Sequence, residues 1–263
     1  TRIKTRMPKA FVRTVSAHLG FGAAADEVLQ LVEGDRGFFM FCHDDVAPEP
    51  DAVRLLVEEI YRLNAGIVGP KIVEWDDPRV LQTVGLGVDR FGEIDVGVEV
   101  GEKDQEQHDG IRDVFALPSA FLLARADLFR EIGGFDPSIS FYGDDVDLCW
   151  RLHHLGARVV VVPAARVRHR SQLAKRRPDM RHDLLQATHR MRTVATLTGR
   201  ARLPGRILEL VLLTLAEFLG GIFTGRIRGA WASLRALVGL IPRSLSLLAR
   251  RRAIKPLRRV PER

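Results

Sequence analysis

Cysteine occurs only at Cys42 and Cys149 among 263 residues, too few to frame a disulfide-stapled fold. Both stand in apolar stretches and read as buried free thiols of a reducing compartment. Neither Cys-x-x-Cys nor His-Glu-x-x-His occurs, and His108, His153, His154, His182 and His189 show no ligand spacing with one another, which argues against a zinc centre. Internal repeats and low-complexity segments are lacking. No charged, apolar and cleavable leader follows Thr1, which is not methionine, so the chain reads as a fragment. The longest apolar run, residues 207–223, carries Glu209 and Glu217 and stops short of the roughly 20 clean residues of a membrane span. Acidic residues are scarce at one end only. Residues 164–263 hold 5 of them against 23 Lys and Arg, whereas residues 1–163 hold 28 against 17.

What is present is ordinary globular material, 46% hydrophobic and 28% charged, enough for one large domain or a domain with an appendage. The formal charge of +7 is the sum of a net −11 in the first part and +18 in the second. Basic charge interrupted by apolar runs, without aromatic interleaving or a recognised module, argues against nucleic-acid binding. Two regions with two tasks follow.

In the acidic part, short apolar runs alternate with amphipathic stretches, the pattern of an α/β layer structure. Phe38 to Cys42 predicts a buried strand, residues 50–63 a helix, and Gly66 to Pro70 the next strand. Residues 80–102, with frequent glycines, predict short irregular antiparallel strands, and 103–113 a polar loop. A strand over 120–124, a helix over 127–132 closed by Gly133 and Gly134, a helix over 144–155 ended by Gly156, and a strand over 158–162 stopped by Pro163 complete the domain. In the basic part, a second apolar helix over about 230–241 closes at Pro242, with Arg250, Arg251 and Arg252 close behind.

Three clusters could carry chemistry. His43-Asp44-Asp45 directly follows a strand, where open α/β sheets bind ligands, and its carboxylates suit a divalent cation facing a diphosphate; an acidic turn at a helix entry reads equally from the same residues. Asp144, Asp145 and Asp147 open a helix that continues into Trp150 and Arg151. One Asp suffices as a cap, and Asp144 and Asp147 share a face, so Asp145 points elsewhere, suited to a general base or ligand clamp. His169, flanked by Arg168 and Arg170, is either a solvated basic surface or a metal ligand.

In order along the chain, these clusters and their neighbours form five motifs. Residues 18–26, HLGFGAAAD, are similar to an Asn-x-Gly-Phe-x-x-Ala-x-Asn segment, with His18 and Asp26 where asparagines are usual. His43-Asp44-Asp45 is similar to Asp-x-Asp, with His43 at its first position. Residues 129–136, FREIGGFD, are similar to Phe-x-x-x-Gly-Gly-Phe-Asp, and 144–151, DDVDLCWR, to Glu-Asp-x-Asp-Leu-x-x-Arg. Residues 162–169 resemble the segment ending in a metal-binding histidine. Together the motifs resemble the family 2 glycosyltransferases of GT-A fold, particularly actinobacterial members that build cell-wall polysaccharide.

The resemblance implies an α/β, Rossmann-like mixed sheet with helices on both faces over residues 1–175, then a helical, basic, membrane-associated region over 176–263. It implies inverting sugar transfer from a nucleoside-diphosphate sugar to a hydroxyl of a glycan or polyprenyl-linked acceptor, at the cytoplasmic face of the cell membrane. Asp45 and His169 would hold Mn²⁺ or Mg²⁺, Asp145 would be the base, and Asp44, His18, Trp150 and Arg151 would contact donor or acceptor. The residues before His18 are too few for the family's first strand-helix-strand unit, so most of the nucleotide half-site is expected to be missing. With the altered motif positions, this leaves an alternative: a non-catalytic, membrane-attached interaction protein on a decayed scaffold. The apolar helices between arginine clusters suggest attachment to an anionic membrane surface rather than a full span.

Overall fold

The alternation of short apolar runs with amphipathic stretches becomes alternating strands and helices in a computed structural model, which describes residues 2–14, 20–29, 32, 34–225 and 227–260. In chain order the elements begin with α1 (Arg2–Arg6), α2 (Phe21–Leu29), β1 (Phe38–Cys42), β2 (Val46–Pro48), α3 (Ala52–Arg62) and β3 (Ile67–Glu74). The short strands β4 (Leu81–Thr83), β5 (Gly87–Val88), β6 (Ile94–Asp95) and β7 (Arg112–Asp113) follow, then β8 (Phe121–Arg125), α4 (Ala126–Glu131), α5 (Asp144–Leu155) and β9 (Val159–His169). The remainder is helical: α6 (Leu173–Arg176), α7 (His182–Leu197), α8 (Leu203–Thr224), α9 (Ile227–Gly239) and α10 (Ser244–Ile254), with a 3-10 turn over Lys255–Leu257.

The main sheet has seven strands, with β1-β8-β3-β9-β2 in sequence across it, β4 added beside β3 and β7 beside β9. Among the described strands only the β3–β9 pair is parallel. Side chains alternate across the pleat, so neighbours in sequence serve opposite faces. Ile67, Leu122, Val159 and Val161 pack with Phe129, Leu148 and Leu152 on one face. Val68, Leu123, Val160 and Val162 pack with Ala52, Leu56 and Ile60 of α3 on the other. Helices therefore cover both faces, as the family resemblance implies.

Two strands differ from expectation. β1 is an edge strand, paired only with β8 among the described strands, so only Phe41 is buried and Cys42 is exposed while Cys149 is buried. β9 does not stop at Pro163. Its pairing with β3 runs from Val159 opposite Ile67 to Val162 opposite Pro70, slips, and resumes with Arg166 opposite Lys71 and His169 opposite Glu74. The irregularity absorbs the proline, whose missing N–H would otherwise leave a gap in the ladder.

α5 matches its expected bounds. It starts after Gly143 (φ +85°) and ends at Gly156 (φ +81°), both in the left-handed region that favours glycine. No acidic side chain caps its N-terminus in the usual way; Asp145 instead accepts the N–H of Val146 at 2.8 Å.

The basic helices are tied to the sheet domain by buried charge. Asp136 is 2% exposed, with Arg192 Nη1 of α7 at 2.8 Å and Arg250 Nε of α10 at 3.0 Å from its Oδ2. Arg251 donates to the carbonyl of Ala195 at 2.7 Å, and Arg258 to those of Leu197 and Thr198 at 2.8 and 3.1 Å. Guanidinium groups thus satisfy the last carbonyls of α7, which carry the negative end of its dipole. The run Arg250-Arg251-Arg252, expected at a membrane, turns two of its three charges inward.

α8 spans 22 residues as one helix, longer than the 17-residue apolar run, and is about 33 Å long. Among the described residues it is the one unbroken helix long and apolar enough to cross a membrane by length and composition. Leu208, Leu212, Leu215 and Leu219 are exposed along it at helical spacing.

Candidate functional site

The end of β1, the start of β2 and the end of β9 meet at one end of the sheet, although β1 and β2 are its opposite edge strands. Val46 pairs with His169, which sets Asp45 beside the histidine ring, with His169 Nε2 3.3 Å from Asp45 Oδ1. His43 lies two residues before Asp45 and joins them, while Asp44 projects the other way to Arg176 at 2.9 Å. One ligand atom each from His43, Asp45 and His169 fall within 4.8 Å of one another. The sequence reading pairs Asp45 with His169 and passes over His43; its spacing of two from Asp45 was the signal.

Several contacts fix the cluster. The His43 backbone N–H donates to Ala120 at 2.9 Å, Phe21 packs edge-on against its ring at 4.4 Å, and its Nε2 is buried with no hydrogen-bond partner among the described residues. Burial, then the neighbouring His169, lowers His43 to about 4, so near neutral pH it is an uncharged imidazole with a free lone pair. Burial also keeps His169 below its ordinary value. Burial acts upward on Asp45, but the Gln172 N–H at 3.1 Å and the surrounding positive groups outweigh it and keep the carboxyl low. Ser171 Oγ lies 3.1 Å from His169 Nδ1 and 3.3 Å from Gln82 Oε1. Nε2–H of His169 can donate to Asp45; a cation on Nε2 would put the proton on Nδ1, from which the Ser171 hydroxyl accepts while donating to Gln82. Two imidazoles and one carboxylate fit a borderline cation such as Mn²⁺ better than Mg²⁺, which prefers oxygen ligands throughout.

The turn that receives the His43 N–H also reaches α5. Ser119, next to Ala120, supplies its hydroxyl to Asp144 and its backbone N–H to Asp145. Burial, then the charge of Asp144, lifts Asp145 to about 7, and burial lifts Asp144 as well. Asp145 lines a cavity with Tyr142 and Arg190. A carboxyl with that pKa at a cavity wall is matched to proton transfer near neutral pH.

Other expected site residues sit differently. Arg151 is fully enclosed, with Nε donating to Asp147 at 2.8 Å and Nη1 to the carbonyls of Ile132 and Gly134 at 2.9 and 2.6 Å. It braces the Gly133-Gly134 loop and does not line the cavity beside Asp145, where its expected contact with donor or acceptor would lie. Trp150 packs against Phe115 and joins the cores on both sides of α5, again away from the cavity lining. Asp44 is exposed and paired with Arg176. His18 lies outside the described residues.

Comparison with known proteins identifies the family. A family model described as "Glycosyltransferase like family 2" matches residues 2–190. The chain is 31% identical over 159 residues to the pre-mycofactocin glycosyltransferase of Mycobacterium tuberculosis (strains CDC 1551 / Oshkosh and ATCC 25618 / H37Rv), covering 58% of this chain and 31% of that protein. It is 28% identical over 221 residues to the N-acetylglucosaminyl-diphospho-decaprenol L-rhamnosyltransferase of the same organism, covering 74% of this chain and 69% of that one. The chain thus spans about a third of the length of the first of these relatives. The solved structure of GalNAc-T7 with UDP, GalNAc and Mn²⁺ shares the fold, with a TM-score of 0.55 at 14% identity, covering 74% of this chain and 38% of that one. With most of its length matched by the family model, the chain belongs to the family 2-like glycosyltransferases.

Proposed function

We propose that the chain is an inverting glycosyltransferase, moving a sugar from a nucleoside-diphosphate sugar to a hydroxyl of a glycan or lipid-linked acceptor in cell-envelope polysaccharide synthesis. The observation that carries this reading is the Pro118–Ala120 turn, which links the His43–Asp45–His169 cluster to a carboxylate lifted to about 7. His43, Asp45 and His169 would hold a divalent cation, with Ser171 and Gln172 orienting two of those ligands, and the cation would supply positive charge to the diphosphate leaving group. Asp145 accepts the proton of the acceptor hydroxyl as its oxygen bonds to the anomeric carbon and the bond from that carbon to the diphosphate breaks. Asp44 and His18 contact the donor, Asp44 by exchanging Arg176 for a sugar or ribose hydroxyl.

Residues 1–175 act as the catalytic domain and 176–263 as a region held to the cytoplasmic face of an anionic membrane. The exposed leucines of α8 support that attachment, and the rhamnosyltransferase relative is named for a decaprenol-linked substrate. Isothermal titration of the full chain with a panel of nucleoside diphosphates, with and without Mn²⁺, tests the proposal. Metal-dependent heat with at least one nucleotide is expected. Its absence across the panel favours the non-catalytic scaffold.

A further inference from the structure

The cavity beside Asp145 has a volume of about 740 Å³, within the range of small-molecule sites. Its two walls have different origins. Tyr142, Asp145 and Arg190 belong to the segment matched by the family, whereas Glu217, Gly220 and Ala230 stand on α8 and α9, beyond residue 190. Its selectivity is therefore set in part by helices outside the matched segment.

The lining changes character along the cavity. Thr193 is 3% exposed, lines it, and its Oγ1 has no hydrogen-bond partner among the described residues. A buried hydroxyl left unpaired costs free energy until a ligand or water pairs with it. Glu217, a carboxylate in the middle of an apolar helix, also faces the cavity, as do Glu93 and Asp183. The one arginine of the lining, Arg190, is paired with Glu93. Such a wall accepts hydrogen bonds from hydroxyls and repels an anion. On the α8–α9 side Gly220, Gly221, Gly229 and Ala230 leave an open, mainly apolar wall, interrupted by Glu217, Thr224 and Ser233. A Cβ on Gly220 or Gly229 would meet nothing within 4 Å, and the turns of α8 that line the cavity also expose Leu219, Ile222 and Phe223.

We infer that this cavity is the acceptor site and that it selects an amphiphilic acceptor: a neutral carbohydrate head at Asp145 and Thr193, and an apolar tail along Gly220, Gly229 and Ala230. The inference rests on the transferase reading for the role of Asp145, and its test needs no donor.

Binding of n-octyl and methyl glycosides of the same hexoses, below the micelle concentration, is measured on the full chain by calorimetry. Each buried methylene favours binding about fourfold, so two or three of them give the octyl compound a preference of about tenfold or more. Gly220→Phe and Gly229→Phe, which fill open space, are expected to cut that preference below about threefold. Thr193→Val is expected to weaken methyl and octyl compounds alike. Equal affinity for both compounds, no binding of any glycoside, or an octyl preference that survives both glycine substitutions overturns the inference; the last result marks partition onto the exposed leucines. Mn²⁺-dependent nucleotide binding, read on the same samples, checks that the variants are folded. Its absence from the unsubstituted chain strikes the transferase reading and leaves the glycoside result standing.

Discussion

Arg250 of α10 sets its Nε 3.0 Å from Oδ2 of Asp136, in the loop before α5, so the basic tail reaches the centre of the sheet domain. Asp136 is also met by Arg192, and Arg250 Nη2 stands 3.8 Å from Asp147, the partner of Arg151. Three guanidinium groups share two carboxylates, which makes the carboxylates the scarcer component. Asp136→Asn leaves buried cations unpaired and is expected to cost about 3–5 kcal/mol, whereas Arg250→Met costs less because Arg192 still holds Asp136. Thermal melting followed by circular dichroism compares the two. A greater loss from Arg250→Met would contradict this ordering.

Asp145→Asn keeps shape but removes the carboxylate proposed as the base. Transfer is expected to fall by about two to four orders of magnitude with donor affinity nearly unchanged, and transfer by the unsubstituted chain to rise with pH through about 7. The stability consequence has a definite sign. A carboxyl raised from 3.8 to about 7 favours the folded state fully below pH 4 and loses that contribution as pH rises through 7. Asp145→Asn should therefore raise Tm at pH 8 and change it little at pH 4.

Asp26 follows the same rule in a different place. Burial raises it to about 6, although the Phe135 N–H donates to its Oδ1 at 3.3 Å. Its stabilising contribution is complete below pH 4 and gone above pH 6. Asp26→Asn keeps an acceptor for that N–H without the buried charge, so the variant should gain up to about 3 kcal/mol at pH 8 and nothing at pH 4. Chemical denaturation at the two pH values decides it.

The proposed cation site separates adjacent residues. His43→Ala is expected to weaken Mn²⁺ binding at least about tenfold, as are Asp45→Ala and His169→Ala, while Asp44→Ala leaves it unchanged because Asp44 faces Arg176. Electron paramagnetic resonance of free Mn²⁺ reads the affinity directly. Excess EDTA should abolish transfer.

Membrane attachment should depend on the leucine face more than on the arginine run. Arg250 and Arg251 are engaged inside the protein, so Arg250→Gln has little effect on sedimentation with anionic vesicles. Leu212→Glu with Leu219→Glu, on the exposed face of α8, should move the chain to the supernatant.

The β-branched run Val159 to Val162, the helix from Asp144 to Gly156 and the His-x-Asp spacing at His43 and Asp45 are local patterns, and local patterns were enough to determine element types, the family and most of the candidate site. Side-chain direction along a strand or helix follows from backbone periodicity, which a few neighbouring residues encode. Pairings between distant segments are another matter. That β9 continues past Pro163 and delivers His169 to Asp45 depends on β2 and β3 lying on either side of it, since a proline reads locally as a stop. That Arg151 braces a loop, that Arg250 turns inward and that Glu217 lines the same cavity as Asp145 were likewise decided only by tertiary packing. A charged side chain of any one sequence context serves solvent, ligand or a buried partner equally well, and which of these it meets depends on elements far away in the chain.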